Sequence, residues 1–172
     1  MSETNASEHV IQRLHNNRPG GRPVVLIVDD EPAIRKLVRS LLERAVARVQ
    51  VVEAENGAEA LQKIGEIRTQ RGGDPDLMIL DLKMPVMDGW SLIERLKKDY
   101  EHRGQVEGFP ILVFSGTSGE KGLLFRRSVH DGKSGYVPMV TVAKERCLSA
   151  AHYDAVGEVG LAEWLRHFLH AE

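Results

Sequence analysis

Three aspartates and a serine stand where apolar runs stop. Val24-Val25-Leu26-Ile27-Val28 runs into Asp29-Asp30-Glu31-Pro32, Leu77-Met78-Ile79-Leu80 into Asp81, and Ile111-Leu112-Val113-Phe114 into Ser115-Gly116-Thr117. Short apolar runs bounded by turn residues read as strands buried on both faces of a parallel sheet. Open α/β sheets bind ligands beyond the carboxyl ends of their strands. Asp29, Asp30 and Asp81 are therefore expected to converge at one sheet edge, with Ser115 at the end of a third strand. Converging carboxylates repel one another unless a cation offsets them. Oxygen ligands with retained waters favour a hard divalent ion, Mg²⁺ first. Each residue also has a plainer reading. A lone Asp81 is a strand-end acid capping a turn, Asp29 to Glu31 are helix N-terminal acids complementing the macrodipole, and Ser115 is a turn serine.

The elements that must position these groups are legible around them. Pro32 suits a first helical position. Ile34, Leu37, Val38, Leu41, Leu42 and Ala45 then give one apolar helical face. Val49 to Glu53 reads as a second strand and Asn56-Gly57 as the turn after it. Ala60, Leu61, Ile64 and Ile67 mark a second helix, and Arg68 to Pro75 a long polar loop. Pro85 and Asp88-Gly89 are turn chemistry after Asp81. Gly89, Leu92, Ile93 and Leu96 carry a third helix. Lys121 to Asp131 reads as a fourth helix with a poor stripe. Tyr136 to Ala143 reads as a fifth strand, confined to an edge by Pro138. Leu161, Trp164, Leu165, Phe168 and Leu169 form a clean amphipathic final helix. Strands alternating with helices imply a doubly wound α/β parallel sheet with right-handed crossovers. Residues 1–22, rich in Asn, Gly, Arg and Pro, read as a disordered tail.

At 172 residues, 42% hydrophobic and 28% charged, the chain fits one soluble globular domain with some decoration, or a small domain plus tails. A net charge of −2 gives no electrostatic footprint for direct nucleic-acid binding. Cys147 is the single cysteine, which excludes an internal disulfide and argues against a cysteine zinc site. No apolar run approaches the ~20 residues that span a bilayer, and the N-terminal stretch lacks a signal-peptide core. A cytoplasmic protein without a membrane role is expected.

The set Val28-Asp29-Asp30-Glu31-Pro32, Leu80-Asp81-x-x-Met84-Pro85-x-x-Asp88-Gly89 and Val113-Phe114-Ser115-Gly116 resembles the receiver domain of two-component response regulators. The resemblance runs from about Pro23 to about Thr117. It implies a five-stranded flavodoxin-like sheet of order 2-1-3-4-5, with helices on both faces. It implies a domain over 23–172, divergent at 119–160, ending in the C-terminal helix. It also implies Mg²⁺ held by Asp29, Asp30, Asp81 and the backbone carbonyl of Lys83, with Asp81 the phosphoacceptor and Ser115 the switch hydroxyl. The family's lysine at the end of strand five falls best on Lys144, with Lys133 the rival in a Gly-rich turn. Here 29 positions separate Ser115 from Lys144, and Glu145 stands where receivers typically have proline. Thr141 and Gly116 also depart from the aromatic and the alanine common in the family. Lys83 and Thr117 occupy positions that tune phosphoryl lifetime. The implied partners are a histidine kinase or histidine phosphotransfer protein, a downstream protein target, and a second copy through the strand four–five face.

Two other functions compete with phosphoacceptance. One is a binding module of this fold that signals without phosphorylation. The other is a haloacid-dehalogenase-type phosphatase, but that class places Asp-x-Asp after its first strand where this chain has adjacent Asp29-Asp30. An enzyme acting on an external substrate is therefore not expected. His130-Asp131 reads as loop, His167 and His170 as a solvated face, and His152 as lacking the helical bundle a phosphorelay histidine needs. Trp90 and Trp164 read as packing residues.

Overall fold

The structure is a computed structural model and describes residues 22–46, 48–105, 108–115 and 139–143. The tail, the helix expected at Lys121 to Asp131, Lys144 and the final helix lie outside the described residues. The strands are β1 (Val24–Val28), β2 (Gln50–Ala54), β3 (Leu77–Leu80), β4 (Ile111–Ser115) and β5 (Met139–Ala143). The helices are α1 (Pro32–Ala45), α2 (Gly57–Arg71) and α3 (Gly89–His102). All pairings are parallel and the order is β2-β1-β3-β4-β5. This is the doubly wound sheet expected from the sequence, with β5 at an edge. Pro138 lies outside the described residues.

The alternation of side chains across the sheet sorts the core into two layers. Leu26, Val28, Met78, Leu80, Ile111 and Val113 form one cluster with Ala60 and Ile64 of α2 and Leu92, Ile93 and Leu96 of α3. Residues of the other parity, Ile27, Ile79 and Leu112, are equally buried, as are Val38 and Leu42 of α1. Burying each such Leu or Ile contributes on the order of 2 kcal/mol. These layers explain why β1 and β3 read as unbroken apolar runs rather than alternating ones.

Several boundaries differ from the sequence expectation. β2 starts and ends one residue later than Val49–Glu53 and β4 extends to Ser115; β5 is described over Met139–Ala143, and the expected start at Tyr136 lies outside the described residues. Asn56-Gly57 is not a free turn. The Asn56 side chain accepts from Glu59 N at 2.9 Å, and the Glu59 carboxylate accepts from Glu55 N at 2.8 Å, so the pair opens α2 as a reciprocal cap. The polar stretch from Arg68 is loop only beyond Arg71. α2 continues to Arg71 because Arg68 and Arg71 complement its carboxyl end. Gly72, at φ 72°, then closes it with an N–H bond to the Arg68 carbonyl. Trp90 is not core. It stands off the stripe of Leu92, Ile93 and Leu96 and is 37% exposed.

Polar groups fasten the amino end of the sheet. Asp76, buried, accepts from Val24 N at 2.7 Å and from Arg71 Nη1 at 2.8 Å, tying β1, β3 and α2 together. The Tyr100 hydroxyl donates to Asp74 Oδ2 at 2.6 Å and accepts from Phe109 N at 3.3 Å. Arg68 reaches both Asp74, at 2.6 Å, and Asp99, at 3.1 Å. Burial pushes the Tyr100 phenol well above its ordinary value, and the hydrogen bond and charge of Asp74 push it further. For Arg68, burial works against the cation, but its hydrogen bond and attraction to Asp74 more than offset this and raise its pKa.

Tyr100→Phe is expected to cost about 1–3 kcal/mol in urea unfolding near neutral pH. A phenol raised on folding contributes stability below the unfolded value of 10.0 and loses it above. The gap between wild type and variant should therefore shrink as pH rises past 10.0. The glycines supply a second expectation. A Cβ on Gly89 would meet the Asp81 carbonyl oxygen at 2.6 Å and Leu82 Cα at 2.8 Å, whereas nothing lies within 4 Å of one on Gly65. Gly89→Ala should destabilise by about 1–3 kcal/mol, and Gly65→Ala should stabilise by up to about 1 kcal/mol.

Candidate functional site

The strand register builds the site. Val28 and Leu80 are partners in adjacent strands, so Asp29 and Asp81 leave the sheet together. The ladder continues past both strand ends, with Asp81 N donating to the Val28 carbonyl at 2.9 Å and Asp29 N to the Ala54 carbonyl at 3.1 Å. Carboxylate oxygens of Asp29, Asp30 and Asp81 lie within 4.8 Å of one another. Asp29 and Asp81 are buried, at 1% and 6% exposure, while Asp30 is exposed. The cluster is therefore walled on the protein side and open toward solvent. Its donors are oxygens only, a set that fits a hard divalent cation and gives a thiophilic metal no ligand.

Local bonds aim the two buried acids. Asp29 Oδ1 accepts from Glu31 N at 2.9 Å, which turns the chain into α1. Glu31 is the N-cap residue of that helix but makes no side-chain cap bond. Asp81 Oδ1 lies 3.4 Å from Lys83 N, a long contact that turns the chain after β3.

The loop from Asp81 to Asp88 is held from several sides. Gly89 N donates to the Leu82 carbonyl at 3.0 Å, and Asp88 caps α3 by accepting from Ser91 N at 2.8 Å. Met87 N donates to the Pro85 carbonyl at 2.8 Å around Val86, whose φ is 67°. That three-residue turn has the strained hand, which a β-branched residue rarely adopts. It presents the Met87 carbonyl to Gly57 N, the first residue of α2, at 2.9 Å. A Cβ on Gly57 would meet Met87 Cγ at 2.7 Å, so glycine is what lets α2 approach the loop.

Of the residues singled out in the sequence, Asp29, Asp30 and Asp81 come together. Ser115 ends β4, where its backbone pairs with Ala143, the last residue of β5. Lys144 follows Ala143 in the chain and, like Lys133 and Thr117, lies outside the described residues. One contributor was missed. Arg35 of α1 donates from Nη1 to the Asp29 carbonyl at 2.8 Å. Its signal was a charged residue between the stripe positions Ile34 and Val38, facing Glu53, an acid that follows Val51-Val52 in β2.

Comparison with known proteins agrees with this geometry. A family model described as the response regulator receiver domain matches residues 25–138. The nitrate/nitrite response regulator protein NarL of Escherichia coli K12 is 32% identical over 148 residues, covering 86% of this chain and 61% of NarL. A protein-glutamate methylesterase/protein-glutamine glutaminase of Hahella chejuensis is 45% identical over 76 residues, covering 44% of this chain and 20% of that protein. The chain thus spans between a fifth and three fifths of these curated relatives. Among solved structures, the Vibrio cholerae chemotaxis protein CheY4 is similar at 26% identity and a TM-score of 0.52, over 72% of this chain and 88% of CheY4. With its sheet order, its acidic strand ends and a family match over most of its length, the chain belongs to the response regulator receiver domain family.

Proposed function

We propose that this chain accepts a phosphoryl group on Asp81 in an Mg²⁺-dependent reaction and thereby switches a partner-binding surface. The observation that carries this reading is the approach of the Asp29, Asp30 and Asp81 carboxylates within 4.8 Å at the carboxyl edge of a receiver sheet. Asp30 is exposed, and a donor would approach the 6%-exposed Asp81 from that side of the cluster. One Asp81 oxygen attacks phosphorus. The bond from phosphorus to the donor breaks, P–N in a phosphohistidine or P–O in acetyl phosphate, and its electron pair leaves with the donor. An acyl phosphate remains on Asp81. Mg²⁺, when bound, neutralises charge on the phosphoryl oxygens. Asp29, Asp30, Asp81 and the Lys83 carbonyl are the groups that would hold it.

The residues of the chain divide the remaining work. The Asp29 bond to Glu31 N and the ladder bond of Asp81 N hold the two buried carboxyls in place before a donor arrives. Ser115, which ends β4, and Lys144, which follows Ala143 in the chain, are assigned to the phosphoryl group as hydroxyl donor and counter-charge. An added dianion that draws Ser115 inward would bias the β4–β5 face between two states. The partners this chemistry requires are a histidine kinase or phosphotransfer protein upstream and a protein target downstream, all in the cytoplasm. Residues 23–172 are taken as the receiver unit, with 119–160 as its divergent part.

Intact mass after incubation with acetyl phosphate and Mg²⁺ tests this directly. One phosphoryl adduct is expected on the wild type and none on Asp81→Ala or after chelation with EDTA. No adduct on a wild type that also shows no response to beryllofluoride would replace this reading with a phosphorylation-independent interaction module.

A further inference from the structure

We infer that Arg35 is a positioning residue for the acidic corner, acting on its metal affinity through the backbone of Asp29. The inference rests on the Mg²⁺ reading above. Arg35 lies in the first turn of α1, and its side chain is only 11% exposed. Nη1 donates to the Asp29 carbonyl at 2.8 Å, Nε faces Glu53 Oε1 at 3.3 Å, and Nη2 faces Glu55 Oε1 at 3.6 Å. One planar cation thus joins the turn after β1, the helix α1 and the end of β2. A guanidinium can do this because its donors are fixed in a fork, whereas an ammonium is a single point charge.

The carbonyl it holds belongs to the peptide unit between Asp29 and Asp30. Fixing that plane fixes the directions in which both carboxylates leave the backbone. Asp29 is then anchored at its amide by Ala54, at its carboxylate by Glu31 N and at its carbonyl by Arg35. Arg39 provides an internal comparison. It bonds the same Glu53 through Oε2, at 2.5 and 3.1 Å, and its other partner is Glu43 rather than Asp29.

Positioning and simple charge predict opposite signs. A positive charge beside a cation site weakens cation binding, so charge alone says that neutralising Arg35 tightens it. Positioning says that the same change loosens it, because metal sites lose affinity when the groups orienting their ligands are removed.

Mn²⁺, read by its electron paramagnetic resonance signal as a stand-in for Mg²⁺, is titrated into the full chain, wild type and variants. Arg35→Gln should bind roughly tenfold more weakly than wild type. Arg39→Gln should match wild type in affinity, although it too loses a Glu53 contact. Equal or tighter binding by Arg35→Gln overturns the inference, as does an equal loss in Arg39→Gln. Should Arg35→Gln fail to fold, Arg35→Lys decides. It keeps the charge but cannot span Asp29 and Glu53 together, so several-fold weaker binding supports positioning and wild-type affinity overturns it. A folded wild type that binds no Mn²⁺ overturns the metal reading itself, an outcome distinct from the others.

Discussion

Val28 and Leu80 are register partners in adjacent parallel strands, so the residues that follow them must leave the sheet side by side. Both are aspartates, and a third aspartate comes next to the first. Much of the structure serves to keep this like-charged group assembled. The ladder bonds of Asp29 N and Asp81 N carry the sheet past its last apolar residues, so the acids have fixed backbones before any ligand arrives. Burial on the protein side raises the cost of leaving those charges uncompensated. The solvent-facing side, where Asp30 lies, is where compensation can enter.

The loop after β3 shows how closely the site is packed against its scaffold. Gly57 and Gly89 are the two points where helix backbone approaches this loop too closely for a side chain. Each leads a helix, α2 or α3, and each donates its N–H to a loop carbonyl, Met87 for Gly57 and Leu82 for Gly89. The strained turn at Val86 is tolerated because these bonds over-determine the loop around it. A displacement of Asp81 would therefore be felt at the starts of two helices.

At the opposite edge, stability is built separately. Asp76 joins β1 and β3 to Arg71, and the Tyr100–Asp74–Arg68 group joins α2 to α3. These pairs are well hydrogen-bonded and partly or fully shielded, so losing one partner costs more than at a surface pair. At the carboxyl edge the ion pairs among the described residues run from Arg35 to Glu53 and Glu55 and from Arg39 to Glu53. The fold thus sets the buried Asp76 fastening at the amino end of the sheet and the acidic cluster at the carboxyl end.

What the sequence determined by itself was the set of strands, their parallel sense and the residues that end them. Unbroken apolar runs admit few partners, and a strand-end acid announces itself by interrupting such a run. The three stripe-bearing helices were legible for the same reason, since burial imposes a period. The tertiary structure decided what periodicity does not encode. It carried α2 through Arg68 to Arg71, because a left-handed glycine and two basic residues stabilise an end that hydropathy cannot see. It turned Asn56 into a cap and left Trp90 at the surface, because cap geometry and stripe phase depend on where a helix rests. It also placed Arg35 against the Asp29 carbonyl. That contact joins residues from the turn after β1, α1 and β2, and only the register of β1 with β2 brings its third member, Glu53, within reach.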